Sequence, residues 1–343
     1  MVLFALTAAA QPSKPGRFKD SVAAKKFYRG NLHTHTSDTD GDAPPAQVIK
    51  WYKNNGYDFV SITDHDILTV TPPGLTDEKF ITLNGVELTG LAAHRAPVHV
   101  NAICGKGALK GIRTKEPVLD VLKSNIALSR NDGAITMVNH PNFGWALKQA
   151  DLLGATGFEL LEVASGHPLV NDDGDEKDFN ARPSAQTLWD MYLTKVGPLF
   201  GVAVDDSHNY HKFGPKMINP GRAWINVWAA ALTNDSVCEA IRKGHFYAEK
   251  VTSKSKTQGA QKGIGLKSLA VSSNAIELTF DHWPVGSSVN FIGADGKVLQ
   301  DVTANPARYI LQGGETYVRA YINKHSADVT QELWTQAYFV SYE

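Results

Sequence analysis

The sequence predicts an α/β fold in which a large domain of alternating strands and helices is followed by a small all-β domain. From residue 27 to about 250, short apolar runs typical of strands buried on both faces alternate with amphipathic segments. After about residue 264 the strand-like runs continue, but they are separated by Gly- and Asp-containing turns and no helical segment lies between them. The chain of 343 residues is long enough for one large and one small domain.

The elements of the large domain follow from its apolar periodicity. Strands are predicted at five short apolar runs, 57–62, 134–138, 158–163, 199–204 and 223–227. A helix is predicted to start at Pro45, because proline is favoured at the first helical position. Val48, Ile49 and Tyr52 then share the face that would pack on the sheet, and a second amphipathic helix is predicted over 236–243. Alternation of this kind favours a parallel sheet with helices around it.

The C-terminal segment has the composition of a separate β-domain. A stretch rich in Ser, Lys, Gln and Gly, 253–263, precedes it. Strands are predicted at 276–280, 288–292, 317–321 and 337–340, with turns between them. We therefore expect a small sandwich-like domain.

Composition divides the whole chain into five segments. The first ten residues are apolar and end in three alanines, like a shortened signal peptide, although no Lys or Arg precedes them. The residues after them are polar and include two prolines, which favours a tail on the surface. The segments are a shortened signal peptide (1–10), an N-terminal tail (11–26), the large domain (27–250), a linker (251–263) and the β-domain (264–343). Such a leader predicts a periplasmic or secreted protein, with a cytoplasmic one as the alternative.

Charge and cysteine content exclude several classes of function. The formal net charge is -1, which leaves no electrostatic footprint for nucleic acid, and no apolar run reaches the length of roughly 18 residues that a membrane helix needs. Cys104 and Cys238 form no CxxC motif, and we expect two buried free thiols, with a single disulfide as the alternative. We expect a small-molecule substrate and neither a nucleic-acid nor a membrane partner.

Metal-ligand residue types recur at the ends of four predicted strands. In parallel α/β architectures the carboxyl ends of the strands converge on one face, where functional sites are built. Each motif alone has an ordinary structural explanation, such as a water-facing histidine, a helix cap or a turn, but four of them in order are hard to explain in that way. The residues are His33 and His35, His65, His140, and Asp206 with His208.

The spacing within two of these motifs suits a metal ion. In an extended chain alternate side chains point the same way, so both imidazoles of His33 and His35 can reach one ion. Asp206 and His208 have the same spacing and combine a carboxylate with an imidazole. This ligand set suits Zn²⁺, Mn²⁺ or Fe²⁺, and the absence of thiolates from the motifs argues against a structural zinc site.

Taken together, the motifs resemble those of the PHP (polymerase and histidinol phosphatase) superfamily over roughly residues 28 to 248. Order, residue type and approximate spacing all agree. The matching segments are His33-Thr-His35 with Asp40-Gly41, then Thr63-Asp64-His65, Gly85-Val86-Glu87-Leu88, Val98-His99-Val100, Asn139-His140-Pro141 and Asp206-Ser207-His208. A narrower likeness to the CehA/McbA-like branch, named for carbaryl hydrolases, lies at 29–33, 166–171, 182–184, 188–190 and 220–224.

The resemblance implies a distorted (β/α)7-type barrel with a multinuclear site of two or three divalent ions. The first ion would be held by His33, His35, Glu87 and Asp206, the second by Glu87, His99 and His140, and the third by Asp40, His65 and His208. Glu87 would bridge the first two ions. Two of these positions have neighbouring candidates of the same residue type: His94 lies near His99, and Asp38 and Asp42 flank Asp40.

Three further residues are candidate helpers in catalysis. Asp64 precedes a ligand and could orient an imidazole, with a strand-end cap as the alternative. His167 could protonate a leaving group or contact substrate, against an exposed loop histidine. Arg222 could clamp an anionic substrate, against an ordinary surface ion pair. Glu159 and Glu162 lie in one predicted strand and on different faces, so at most one of them points into the barrel.

These residues predict a metal-dependent hydrolase in which the ions activate water. The leading hypothesis is a phosphoesterase that acts on small phosphate esters, because clustered cations lower the pKa of a bound water and screen the charge of the leaving oxygen. The second hypothesis is a hydrolase of carbamates, carboxyl esters or amides. The third is a secreted glycan-binding protein whose metal site is not catalytic.

Overall fold

The computed structural model describes residues 16–175, 182–255, 258–281, 283 and 286–342. The predicted leader, 1–10, and the first residues of the predicted tail, 11–15, lie outside these ranges. Among the described residues no helix has both the length and the apolar character needed to cross a membrane.

Most of the predicted elements are present, and several more accompany them. Two short strands come first, β1 (Gly16–Phe18) and β2 (Val22–Ala24). The strands of the large domain are β3 (Tyr28–Asn31), β4 (Phe59–Ser61), β5 (Ile81–Leu83), β6 (Gly85–Leu91), β7 (Pro97–Ile103), β8 (Ile135–Val138), β9 (Leu160–Ser165), β10 (Phe200–Val204), β11 (Ala223–Val227) and β12 (Phe246–Ser253). The helices are α1 (Pro45–Asn54), α2 (Val118–Asn131), α3 (Gln149–Leu153), α4 (Ala185–Lys195) and α5 (Asn234–Arg242), with 3-10 turns at Ala93–Arg95, Phe143–Trp145 and Ala294–Gly296.

Strands β3, β4, β6, β7, β8, β9 and β10 form a closed ring. β3 pairs with β4 in parallel, and β8, β9 and β10 are parallel to one another, whereas β7 is antiparallel to both β6 and β8. Parallel bridges close the ring, one between His65 and Glu87 and the other between Thr34 and Ser207. The predicted distorted barrel is therefore confirmed, and the antiparallel β6–β7 pair is its main distortion.

The helices cover the barrel with the faces that the sequence predicts. In α1 the buried residues are Val48, Ile49 and Tyr52, and its first residue is Pro45. Helix α5 begins at Asn234, slightly before the predicted start, because Thr233 accepts a hydrogen bond from the backbone of Ser236 as the N-cap.

Beyond the ring, two antiparallel strands carry the sheet from the barrel into the C-terminal domain. β11 pairs with β3, β12 pairs with β11, and β12 also pairs with β19 of the C-terminal domain. The strands of that domain are β13 (Ser268–Val271), β14 (Ala275–Thr279), β15 (Val289–Ile292), β16 (Val298–Val302), β17 (Ala307–Ile310), β18 (Tyr317–His325), β19 (Val329–Thr335) and β20 (Tyr338–Tyr342). The predicted all-β domain is confirmed, but the segment predicted as a linker, 251–263, begins inside β12.

The N-terminal strands correct the prediction of a surface tail over 11–26. β1 pairs with β20, and β2 pairs with β13, so both belong to the C-terminal β-domain. Phe18 and Ala24 are buried in the core of that domain. The sequence did not indicate these strands because each is only three residues long and neither is strongly apolar.

A buried ion pair and an amide side chain join the C-terminal domain to the barrel. Arg319 on β18 donates to both carboxylate oxygens of Asp190 on α4, at 2.8 and 2.6 Å. The side chain of Gln336 exchanges two hydrogen bonds of 2.9 Å with the backbone of Gly201 in β10. The domains are therefore held together by specific polar contacts as well as by the shared sheet.

The two cysteines form a disulfide, which corrects the expectation of two free thiols. Cys104 follows β7 and Cys238 lies on α5, and their Cα atoms are 6.2 Å apart. The residues are 134 positions apart in the sequence, so only the closed barrel brings them together.

Candidate metal centre

The predicted ligands meet at the mouth of the barrel, where the ring strands end. His33 and His35 follow β3, and His65 follows β4. Glu87 and His99 lie within the antiparallel β6–β7 pair, which carries them to the same face. His140 follows β8, Asp206 and His208 follow β10, and Asp40 lies in the segment between β3 and α1.

Within the described part of the chain, these residues form three overlapping groups that could each hold an ion. In each group one ligand atom from every member lies within 4.8 Å of the others. The groups are His35, Asp40, His65 and His208; His33, Glu87 and His140; and His33, His35 and Asp206. They are similar to the three sets that the family resemblance implies, but each set differs in its members. Glu87 is absent from the first group, His33 takes the place of His99 in the second, and His35 joins the third.

Glu87 lies at the middle of the cluster. Its Oε1 atom is 3.0 Å from Nδ1 of His99 and 3.4 Å from Nε2 of both His33 and His140. Its Oε2 atom is 2.9 Å from Nδ1 of His65 and 3.2 Å from Nε2 of His35. The carboxylate is almost completely buried. Its two oxygens face different groups of imidazoles, which is the arrangement expected of a bridging ligand.

Several of these buried atoms have no hydrogen-bond partner. Among the described residues they include Nε2 of His33, both ring nitrogens of His35, Oε2 of Glu87 and Nδ1 of His99. Leaving a buried polar atom unsatisfied costs about 1–3 kcal/mol, so a group of them in one place needs another explanation. Divalent cations would satisfy these atoms together, because all of them are ligand atoms that lie near a shared centre.

Electrostatics in the cluster also suit cations. Burial opposes the charged form of His33, but the Asp206 and Glu87 carboxylates outweigh it and raise the pKa of the imidazole. Burial also opposes the charged form of His65, yet the Glu87 and Asp40 carboxylates raise the pKa of this imidazole to about 10. The surrounding imidazoles overcome burial and hold the pKa values of Glu87 and Asp206 well below their usual range. The two carboxylates are thus held ionised, which is the form in which they can bind a cation.

Neighbouring groups orient the imidazoles. Nδ1 of His33 lies 3.2 Å from Oε2 of Glu162, and Nδ1 of His208 lies 3.0 Å from the Asp206 carbonyl oxygen. A ring that donates from Nδ1 carries its lone pair on Nε2, where a cation can bind. The amide of Asn139 donates to Oε1 of Glu87 at 2.8 Å and orients that carboxylate.

The structure distinguishes between the candidate residues at two positions. Asp40 lies 3.2 Å from Nε2 of His65 and 3.4 Å from Nε2 of His208, whereas Asp42 accepts a hydrogen bond from the backbone of Tyr210. Nδ1 of His99 lies 3.0 Å from Glu87, whereas His94 lies on the 3-10 turn between β6 and β7.

Asp64 orients a loop rather than an imidazole. Its carboxylate accepts hydrogen bonds from the backbone and hydroxyl of Thr36, at 2.8 and 2.7 Å, and from the hydroxyls of Thr39 and Thr69. These bonds hold the segment that carries Asp40 against the end of β4. The predicted role of Asp64 is therefore changed from orienting an imidazole to positioning a carboxylate ligand.

The other two candidate helpers differ in their surroundings. His167 is buried beside the centre, with its ring 5.9 Å from that of His208, and burial lowers its pKa to about 4. The guanidinium of Arg222 already donates hydrogen bonds to the carbonyl oxygens of Gly166, Met217 and Gly214. These contacts do not support the predicted anion clamp and make Arg222 a residue that positions loops.

Glu162 is a candidate site residue that sequence reasoning left out. Alternation along the predicted strand 158–163 placed Glu159 and Glu162 on opposite faces but did not reveal which one points inward. In the structure Glu162 is buried next to His33, and Glu159 pairs with Arg242 on the outside.

Replacing Glu162 with alanine is expected to lower metal affinity and hydrolysis by about 10–100-fold, because the acceptor that orients His33 is lost. Glu162→Gln keeps an acceptor oxygen and is expected to lose less. The matched control is Glu159→Ala, since Glu159 directly precedes β9 and pairs with Arg242 on the outside. Metal titration of each variant measures the effect, and equal affinities for Glu162→Ala and Glu159→Ala would rule out the positioning role.

Comparison with known proteins gives only distant likenesses. No protein-family model matches the chain, and no curated protein matches it. A two-domain protein from Bacteroides vulgatus that contains a predicted PHP-like metal-dependent phosphoesterase is similar over 92% of this chain and 95% of that chain, with 15% identity and a TM-score of 0.45.

Two further solved structures are similar to part of the chain. One is an amidohydrolase from Chromobacterium violaceum with bound sulfate and no metal, at 16% identity and a TM-score of 0.36, over 53% of this chain and 88% of that chain. The other is a protein from Bifidobacterium adolescentis described as a metal-dependent phosphoesterase, at 15% identity and a TM-score of 0.36, over 62% and 94%. All three TM-scores are below 0.5, so these likenesses assign no activity to this chain.

Proposed function

We propose that this chain is a metal-dependent hydrolase of the PHP superfamily and that it hydrolyses small phosphate esters at a centre of up to three divalent ions. The observation that carries the proposal is the convergence of five histidines with Asp40, Glu87 and Asp206 into three overlapping ligand groups, with a sixth histidine, His99, 3.0 Å from Glu87. Zn²⁺, Mn²⁺ and Fe²⁺ are the ions that such imidazole and carboxylate ligands favour.

Phosphate esters suit this arrangement better than other substrates. A phosphoryl group has three non-bridging oxygens, and its transition state spreads negative charge over them. When bound, the ions would lower the pKa of an attacking water and offset the charge on the phosphoryl oxygens. His33 and His35 each belong to two groups, and Glu87 lies within 3.4 Å of both imidazoles, so these residues would hold neighbouring ions close enough to act on one phosphate.

The reaction would be a hydrolysis with one bond formed and one broken. The oxygen of water forms a bond to phosphorus, the bond from phosphorus to the ester oxygen breaks, and the departing oxygen takes up a proton. The products are inorganic phosphate and a free alcohol. No oxidant or second substrate is needed.

His167 is placed to assist the departing oxygen. Its Nδ1 accepts a hydrogen bond from the backbone of Leu169 at 3.1 Å, so the neutral ring carries its hydrogen on Nε2. A neutral imidazole can donate this hydrogen bond to the ester oxygen as negative charge develops there. In this role His167 would contact the substrate without being a metal ligand.

The disulfide supports export of the protein to the periplasm or beyond. Bonds such as Cys104–Cys238 persist in oxidising compartments and are rare in the cytosol of mesophiles. Peptide mapping without reductant, on protein recovered from the periplasm and from the cytosol, tests this proposal. A reduced pair in the native compartment would contradict it.

The function is tested by metal analysis together with a substrate screen. Protein purified without chelators is expected to contain two or three divalent ions per chain and to hydrolyse mono- and bis-nitrophenyl phosphates. Dipicolinate is expected to remove the ions and the activity, and added Mn²⁺ or Zn²⁺ is expected to restore the activity.

Other outcomes of the same screen would point to the other functions. Hydrolysis of aryl carbamates or acetates, without hydrolysis of phosphates, would replace the phosphoesterase with a carbamate or carboxyl ester hydrolase. Glycan binding that survives chelation, with no hydrolysis of any substrate, would make the chain a binding protein. Protein that contains no metal and gains no activity from added ions would overturn the metal centre itself.

A further inference from the structure

A pocket of about 380 Å³ lies next to the metal centre, between the loop that follows β9 and the strand β12. His167 is part of its wall and is also beside His208 in the ligand cluster, with the two rings 5.9 Å apart. A substrate whose phosphate occupies the centre would therefore extend its alcohol portion into this pocket. The volume is sufficient for a small alcohol of a few carbon atoms.

The pocket wall carries equal numbers of positive and negative side chains, and most of them already have partners within the protein. Among the described residues that line it, Asp172, Asp173, Arg222 and Lys250 carry charge. Nζ of Lys250 is 2.6 Å from Oδ2 of Asp172, and only 15% and 11% of these two side chains are exposed. The guanidinium of Arg222 donates to backbone carbonyls, as described above.

Lys250 and Arg222 are thus both unavailable to bind an anionic group of the substrate. The remaining polar groups are those that bind hydroxyl groups well. Asp173 provides an exposed carboxylate that accepts hydrogen bonds, and Thr252 and Ser253 provide hydroxyls. A second phosphate or a carboxylate would instead face two aspartates, and the one lysine among the described lining residues is already paired.

We propose that this pocket receives the leaving group and selects an uncharged alcohol with several hydroxyls, so that the substrates are polyol phosphates. The inference rests on the proposed phosphoesterase function and specifies its substrate class. In this proposal the Lys250–Asp172 ion pair excludes anionic leaving groups from the pocket. Hydrolysis would release the polyol into the pocket and leave inorganic phosphate at the metal centre.

Three esters of similar size and reactivity separate the alternatives. Glycerol 1-phosphate has two free hydroxyls, propyl phosphate has none, and 3-phosphoglycerate carries a carboxylate. The metal-loaded wild-type protein is expected to show a kcat/KM for glycerol 1-phosphate about tenfold higher than for either of the other esters. Equal values for glycerol 1-phosphate and propyl phosphate, or a preference for 3-phosphoglycerate, would overturn the inference.

Two substitutions in the Lys250–Asp172 ion pair are expected to change the substrate preference in opposite directions. Asp172→Asn leaves Lys250 without a counter-charge, and the ratio of kcat/KM for 3-phosphoglycerate over glycerol 1-phosphate is expected to rise about tenfold. Lys250→Met leaves Asp172 unpaired, and the same ratio is expected to fall. The asparagine can still accept the hydrogen bond that Asp172 accepts from the backbone of Ser165, so the loop is preserved. A ratio that does not change, or that changes in the same direction in both variants, would contradict the assignment.

A matched control lies outside the pocket. Lys243 and Glu239 form an ion pair of the same 2.6 Å length on the exposed face of α5, and Glu239→Gln is expected to leave the substrate ratio unchanged.

Hydrolysis of nitrophenyl phosphate separates failure of the phosphoesterase function from failure of the polyol preference. If the wild type does not hydrolyse it at all, the phosphoesterase function fails and the polyol inference falls with it. If the wild type hydrolyses it but shows no preference for the polyol ester, only the polyol inference fails.

Discussion

Replacing Glu87 with glutamine is expected to lower the rate of hydrolysis by at least about a thousandfold, the equivalent of roughly 4 kcal/mol of transition-state stabilisation. Glu87 lies within 3.4 Å of five imidazoles, so one residue contributes to most of the cluster. The amide would remove the negative charge and place N–H donors where ions need an acceptor. Single-turnover hydrolysis and metal content measure the effect.

The glutamine variant separates charge from shape, because it has nearly the same volume as the native residue. Asn139 can still donate to the remaining carbonyl oxygen of the substituted side chain. Glu78→Gln, on an exposed loop away from the cluster, is the control and is expected to behave as the wild type. Full metal content with an undiminished rate in Glu87→Gln would show that Glu87 does not bridge ions.

Removing the carboxylate at Asp190 is expected to reduce the free energy of unfolding by about 3–5 kcal/mol, the range found when one partner of a buried ion pair is lost. Arg319 is completely buried and donates from Nε and Nη2 to Asp190, while its Nη1 atom has no partner among the described residues. Asp190→Ala would leave the guanidinium buried without a counter-charge. Urea unfolding of the metal-free protein measures the change.

A double variant is the informative comparison for this ion pair. Asp190→Leu combined with Arg319→Met removes both charges and is expected to be more stable than Asp190→Ala alone, since no unpaired charge remains. Tyr317, which also donates to Asp190, is unchanged in both. If Asp190→Ala were as stable as the wild type, the pair would not hold the domains together.

The sequence was informative about the site because the ligands follow the ends of strands. The pairs His33 with His35 and Asp206 with His208 needed only strand periodicity to be placed on one face, and buried apolar runs located the strands themselves. Glu87 and His99 were different, because they lie inside an antiparallel pair and only the family resemblance indicated them.

Other features depend on contacts that no local pattern encodes. The inward direction of Glu162 depends on how β9 twists in the closed ring, and the disulfide joins positions far apart in the sequence. The carbonyl partners of Arg222 come from loops whose path is set only after folding. Short strands such as β1 and β2 were missed because they are stabilised by pairing with the distant C-terminal domain and not by their own residues.

The shared sheet has a consequence for any attempt to isolate the catalytic part of the molecule. Strand β12 is bonded to β11 on one side and to β19 on the other, in register from Tyr247↔Thr335 to Ser253↔Val329. A fragment that stopped at the end of the barrel would present this whole row of amide and carbonyl groups to other chains, and bare edges of that kind recruit further strands and aggregate. Domain-deletion experiments would therefore report insolubility before they reported anything about catalysis.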